Sequence, residues 1–282
     1  VLLDGAWGTE LRRRGTGCPA LPAAATLEEP HLVKQLAQEY TAAGAQAITT
    51  NTFRASKYLL GSYAPALDAD ALNVAAVQLL LEMNALPLGN IAPLRAEARS
   101  LGLAHAEEPG WLRDQFFRQA SALRGAGCRT ALLETFTSLE EMRIALGAAQ
   151  EAGFDEVACS LFATREAHGH FTLPGSEAPI VDTLRALADL GADIVGVNCI
   201  TGPDEALRLL DSLPDWSRLP PLLVRPNAGI PLEIDGVLTH PISPEAFGDY
   251  APRLRDAGVR LIGGCCGSTP LHVAAMRDDL QT

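Results

Sequence analysis

Six cysteines supply the most reactive side chains of this 282-residue sequence, and their placement says more than their number. Cys265 and Cys266 are adjacent inside Gly263-Gly-Cys-Cys-Gly267, Cys199 ends an apolar run, and Cys18, Cys128 and Cys159 are scattered. Three thiolates brought together bind Zn²⁺ and leave a fourth tetrahedral position open, the pattern of a catalytic rather than a structural site. The glycines around the vicinal pair let the backbone turn tightly enough for both sulfurs to face one ion. On spacing alone, a vicinal or crossed disulfide and buried inert thiols stay open as alternatives. No Cys-x-x-Cys pair repeats at finger spacing, and none of the six histidines has ligand spacing.

Distant cysteines meet only if the fold brings them together. Eight short apolar runs read as strands: Val1–Leu3, Ala47–Thr50, Leu88–Ile91, Thr130–Glu134, Glu156–Leu161, Ile194–Asn198, Leu222–Val224 and Val259–Ile262. Between them His31–Ala43, Trp111–Arg124, Ser138–Glu151, Glu177–Leu190, Asp204–Leu213, Pro244–Ala257 and Pro270–Leu280 carry apolar residues at helical spacing. Thr26 and Ser138, each followed three residues later by Glu, read as helix caps. Glycines 44, 153, 191 and 258 stand where helices hand over to strands and need left-handed residues. Repeats of about 35 residues without a low-complexity linker predict an α/β chain forming a single (β/α)₈ TIM-type barrel, one domain over residues 1–282. An open doubly wound sheet is the alternative, weakened because no G-x-G-x-x-G follows the first strand.

Catalytic groups of such a barrel lie just beyond the C-terminal ends of its strands. The unusual polar residues fall there. The first strand runs into Asp4-Gly-Ala-Trp-Gly-Thr-Glu10, the second into Thr49-Thr-Asn-Thr-Phe53, and the fourth into Glu134-Thr-Phe136. The sixth ends in Asn198-Cys199, the seventh in Arg225-Pro-Asn-Ala-Gly229, and the eighth in the paired cysteines. Cys199, Cys265 and Cys266 therefore share one rim. Asp4 and Glu134 join them as carboxylates able to accept hydrogen bonds from a ligand; the plainer readings are a turn carboxylate and a strand-end ion pair. The N–H groups of Ala6 and Trp7, between Gly5 and Gly8, are candidates for a small anion nest. Asn198 is a candidate pocket residue, with Asn51 and Asn227 as supporting groups around it.

These segments, in this order and over essentially the whole chain, resemble the signature set of the homocysteine S-methyltransferase family. That family includes the homocysteine-binding barrel of cobalamin-dependent methionine synthase and the enzymes using S-methylmethionine or betaine. The resemblance implies that Cys199, Cys265 and Cys266 hold zinc, with the homocysteine sulfur in the fourth place. It also implies that Asp4 and Glu134 bind the substrate ammonium. A free thiol with pKa about 8.5 is mostly protonated at neutral pH, whereas a zinc-bound one is deprotonated. The expected reaction is methyl transfer to homocysteine, giving methionine, from S-methylmethionine, S-adenosylmethionine or methylcobalamin. The alternative is a homocysteine-activating module that meets methylcobalamin on a separate corrinoid protein. The third strand departs from the family pattern, with Ala92 before Pro93 where glycine is commoner, and this touches the donor side rather than homocysteine activation.

Composition narrows the partners. A formal charge of −12, spread along the chain, gives no electrostatic footprint for nucleic acid and repels anionic membranes. No run of roughly 18 apolar residues predicts a membrane span. The start VLLDG carries no basic, apolar leader, so a cytoplasmic protein is expected, and six cysteines in such a chain are not a disulfide framework.

Overall fold

The computed structural model of the chain describes residues 1–281 apart from 17, 214, 215, 217, 235 and 236. In chain order its strands are β1 (Ala47–Thr49), β2 (Leu86–Ile91), β3 (Thr130–Phe136), β4 (Glu156–Leu161), β5 (Thr164–Arg165), β6 (Phe171–Thr172), β7 (Ile194–Asn198), β8 (Leu222–Arg225), β9 (Leu232–Ile234), β10 (Val237–Thr239) and β11 (Leu261–Ile262). Seven of them form one parallel sheet in the order β1-β2-β3-β4-β7-β8-β11. Leu3 bridges in parallel to Ala47 of β1 and Leu2 to Ile262 of β11, so the first residues join the two outer strands and close the ring. Seven of the eight expected strands are present to within two residues, the first, Val1–Leu3, is reduced to the bridges at Leu2 and Leu3, and the fold is a TIM-type barrel.

Alternation along the strands explains the core. Leu3, Ala47, Leu88, Leu132, Ala158, Ile194 and Leu223, with the partly buried Leu261, pack as one cluster, one residue from each of the eight strands. Inward positions of a barrel are filled by side chains, so the centre is a packed floor on which a site can rest. Gly196 is required by this closeness: a Cβ there would lie 1.9 Å from the carbonyl oxygen of Leu223 on the neighbouring strand. A larger cluster, including Phe116, Phe136, Leu184 and Val195, seals the outer face of the sheet against the helices.

The helices follow their apolar spacing. Ser138 caps the helix Leu139–Glu151 by accepting from the Glu141 N–H, and the four handover glycines all have positive φ. Thr26 departs from its expected role. It lies inside the short helix Ala25–Glu28 and exchanges hydrogen bonds with Asn51 instead of capping. The expected helix Pro244–Ala257 is two pieces, Pro244–Gly248 and Tyr250–Asp256. Pro252 has no N–H to give the Gly248 carbonyl, which breaks the ladder there. The hairpins β5–β6 and β9–β10 have strands of two or three residues, too short for alternation to announce them. Among the described residues no helix is long and apolar enough to cross a membrane.

Candidate active site

Cys199 directly follows β7, and Cys265 and Cys266 follow β11, so the closed ring brings all three to the C-terminal mouth. The Cys199 Sγ is 2.7 Å from that of Cys265 and 4.0 Å from that of Cys266, and all three sulfurs lie within 4.8 Å of one another. Tetrahedral zinc with Zn–S near 2.3 Å spaces its thiolates about 3.8 Å apart. The Cys199–Cys266 separation meets that spacing, and Cys199 and Cys265 would open by about 1 Å around an ion. The donor set therefore fits a thiophilic metal. Shared S–H hydrogen bonds lower the Cys266 thiol below its ordinary value and raise that of Cys199.

Main-chain bonds fix the spacing of the two cysteine loops. The Cys265 N–H donates to the Pro226 carbonyl at 2.8 Å, and the Ala228 N–H donates to the Cys266 carbonyl at 2.9 Å. On the other side the Asn227 N–H reaches the Ile200 carbonyl at 2.9 Å, and the Asn227 amide reaches the Cys199 carbonyl at 3.1 Å. The Pro226–Ala228 segment thus lies between both loops and holds each. Cys199 itself takes φ +56°, an uncommon left-handed conformation for a residue with a Cβ.

Asn198 is fully buried behind this centre. Its Oδ1 accepts from the Thr135 N–H at 3.0 Å and the Ser160 hydroxyl at 2.7 Å. Its Nδ2 donates to Thr135 Oγ1 at 2.7 Å and lies 3.7 Å from Cys265 Sγ. Thr135, a β-branched residue at φ +68°, sits at a register irregularity of β3 and is held there by both ends of that amide.

A buried ion triad forms the inner wall. Arg225, at the end of β8, donates from Nη1 to Glu134 Oε1 at 2.7 Å and from Nη2 to Asp4 Oδ1 at 2.9 Å. Its Nε reaches the Gly264 carbonyl at 3.1 Å. Asp4 Oδ2 takes three further donors: the Trp7 indole at 2.9 Å, the Thr49 N–H at 2.9 Å and the Thr49 hydroxyl at 2.7 Å. Glu134 Oε2 accepts from Asn90 Nδ2 at 2.7 Å. Burial pushes the Glu134 carboxyl up to about 7 against the pull of Arg225, and the Cys265 charge adds to the rise. Asp4 is raised by burial too, with Arg225, Thr49 and Trp7 opposing.

One cavity of about 210 Å³ opens onto these groups, lined by Trp7, Phe53, Asn90, Glu134, Arg225 and the three cysteines. Of the residues expected from sequence, Glu134, Ala6, Trp7 and the cysteines border it, whereas Asp4 and Asn198 stand behind its wall. The Ala6 N–H is engaged, donating to the Ser268 carbonyl at 3.2 Å, and the Ala6 carbonyl accepts from Tyr40 at 2.7 Å. The expected nest is therefore narrower: of its two N–H groups that of Ala6 is taken, and that of Trp7 has no backbone acceptor among the described residues. Arg225 and Asn90 are the functional candidates that the sequence did not single out. The available signals were an arginine closing the apolar strand Leu222–Val224 and an asparagine at an inward position of Leu88–Ile91.

Comparison with known proteins agrees with this geometry. The family model described as homocysteine S-methyltransferase matches residues 1–280. The chain is 30% identical to a methionine synthase of Mycobacterium tuberculosis over 96% of its own length, but it spans only 24% of that protein. It is 29% identical to a mouse S-methylmethionine–homocysteine S-methyltransferase, BHMT2, over 91% of this chain and 71% of that one. The metallated form of the Escherichia coli homocysteine methyltransferase MmuM superposes with a TM-score of 0.76 at 26% identity, covering 99% of this chain and 95% of that chain. The same family is thus reached from the sequence motifs, the whole-chain match and the fold, and the chain belongs to the homocysteine S-methyltransferase family.

Proposed function

We propose that residues 1–282 act as one barrel domain that transfers a methyl group to the sulfur of homocysteine, giving methionine, with zinc held by Cys199, Cys265 and Cys266. The observation that carries this reading is a single cavity shared by three convergent sulfurs and a buried carboxylate–guanidinium pair. Zinc in that position keeps a thiol deprotonated at neutral pH and orients its sulfur. Glu134 takes the substrate ammonium on its Oε2 side, since Oε1 faces Arg225. The Trp7 N–H, at the start of the helix Gly8–Arg13, meets the substrate carboxylate. Asp4 acts from behind the wall by fixing Arg225, Trp7 and Thr49, and Ala6 by shaping its loop through Tyr40 and Ser268. Asn198 orients Thr135 and approaches Cys265. The substrate sulfur then attacks the methyl carbon in line. A carbon–sulfur bond forms, and the bond to the donor breaks with its electron pair leaving on the donor.

The donor is a sulfonium such as S-methylmethionine or S-adenosylmethionine, a reading that rests on similarity to the mouse enzyme. Methylcobalamin on a corrinoid protein or domain is the second reading. It is favoured by the match to a methionine synthase of which the chain spans about a quarter. The described cysteines are all unpaired, which suits a reducing compartment, and we place the protein in the cytoplasm.

The test is methionine formation by the purified, zinc-loaded chain from homocysteine and S-methylmethionine, followed by mass spectrometry. Turnover without another protein supports the sulfonium reading. Homocysteine binding without turnover moves the assignment to methylcobalamin, and absence of binding overturns both. Replacing Cys265 by Ser is expected to abolish zinc retention and methyl transfer together; normal activity in that variant would refute the zinc-thiolate chemistry.

A further inference from the structure

Asn90 sits at an inward position of β2, two residues beyond Leu88 of the barrel floor, and borders the cavity. It is 4% exposed. With Glu134 ionised, as it is above about pH 7, its oxygens only accept, so the amide atom facing Oε2 at 2.7 Å is Nδ2. Its backbone is occupied as well, the N–H by the Thr50 hydroxyl at 2.9 Å and the carbonyl by that of Thr52 at 2.7 Å. Only Oδ1 is left. It is buried and has no hydrogen-bond partner among the described residues.

A buried amide oxygen without a donor is costly, and a site that retains one is built for a donor arriving from outside. The neighbouring charges select which donor. Arg225 fills the Oε1 side of Glu134, so a cation entering the cavity is repelled there and admitted on the Oε2 side, where Asn90 lies. We infer that Asn90 Oδ1 accepts a hydrogen bond from the α-ammonium of the amino-acid substrate, making Asn90 a specificity-determining residue beside Glu134. The inference rests on the homocysteine reading given above. Because Arg225 already neutralises much of Glu134, the directional bond to a neutral acceptor is what distinguishes an α-amino thiol from one lacking the amine.

The test compares binding of homocysteine and of 4-sulfanylbutanoate, the same thiol acid without the amine, to metal-loaded protein by titration calorimetry. Wild type should prefer homocysteine. In Asn90→Leu homocysteine affinity should fall about 10- to 100-fold while the analogue changes little. Asn90→Asp keeps the acceptor and loses the donor to Glu134, so it should retain the preference. An unchanged preference in Asn90→Leu, or equal loss in both variants, overturns the role. A crystal structure of the wild-type protein with homocysteine gives a readout independent of variant folding. Oδ1 within hydrogen-bond distance of the ligand nitrogen supports the inference, and Oδ1 bonded only to water refutes it. Failure of wild type to bind homocysteine at all would instead remove the functional reading on which it stands.

Discussion

Arg225 carries more of the site than any residue its motif advertised. It is buried with both carboxylates it serves, and removal of one partner from a buried ion cluster strands the others without compensation. Arg225→Met should therefore destabilise the protein by about 3–5 kcal/mol in urea denaturation at pH 8. The sign with pH follows from the carboxyls. Burial holds the Glu134 carboxyl up at about 7 in the folded chain, above its ordinary 4.5, so between those values the folded state keeps a proton that the unfolded state gives up. Its contribution to stability falls as pH rises through that window. Without the guanidinium both acids rise further, and the deficit of the variant should shrink as the pH is lowered toward 5. At this scale the cysteines and Glu134 were legible from the sequence because their types are rare at strand ends. Arg225 and Asn90 were not, because each gains its meaning from a partner across the barrel.

The elements show how strain is held in place. Thr135 and Cys199 both adopt left-handed backbone, and the Asn198 amide ties the first while lying next to the cysteine that approaches the second. Groups that orient a metal ligand typically contribute about 10- to 100-fold to metal affinity. Asn198→Leu should lose zinc to a chelator within that range while the far-ultraviolet dichroism of the fold is kept; an unchanged competition curve would assign Asn198 to packing alone. Strands and long helices were readable from periodicity, and the handover glycines from their neighbours. The broken helix at Asp249 turned on a single proline whose missing donor outweighs the apolar spacing around it. Thr26 was misread because a cap pattern is local, and its hydroxyl is taken by Asn51 from a distant loop.

For the molecule as a whole, the ring joins the first residues to the last strand, and the sulfurs come from the ends of that last strand and of β7, two strands back from it. An ion bound there links β7 to β11 across β8, and binding only to the folded form stabilises it by mass action. Free zinc at 100 times its dissociation constant should add about 2.7 kcal/mol, so the melting temperature should rise with zinc and fall on chelation. Cys265→Ser should show no such dependence. Gly196 belongs to this scale too. A methyl group at 196 would drive β7 from β8, and Gly196→Ala should prevent barrel closure, read as loss of soluble folded protein, where Ala substitution at the exposed Gly147 should not. The barrel was legible from its rhythm of strands and helices, with Val1–Leu3 as the first strand; that this strand shrinks to bridges at Leu2 and Leu3 alone was not, since a two-residue bridge has no period to detect.

The segment between the cysteine loops behaves as a ruler whose divisions are peptide units. Its contacts to Cys265, Cys266 and Ile200 use main-chain atoms, so most side chains along it can vary without moving the sulfurs. A change of length has no such latitude. One inserted residue advances the chain by about 3.8 Å, nearly the whole 4.0 Å between Cys199 and Cys266 sulfurs, and would slide one loop past the other. Tolerance of spelling together with intolerance of count is the signature this stretch should leave in any library of variants.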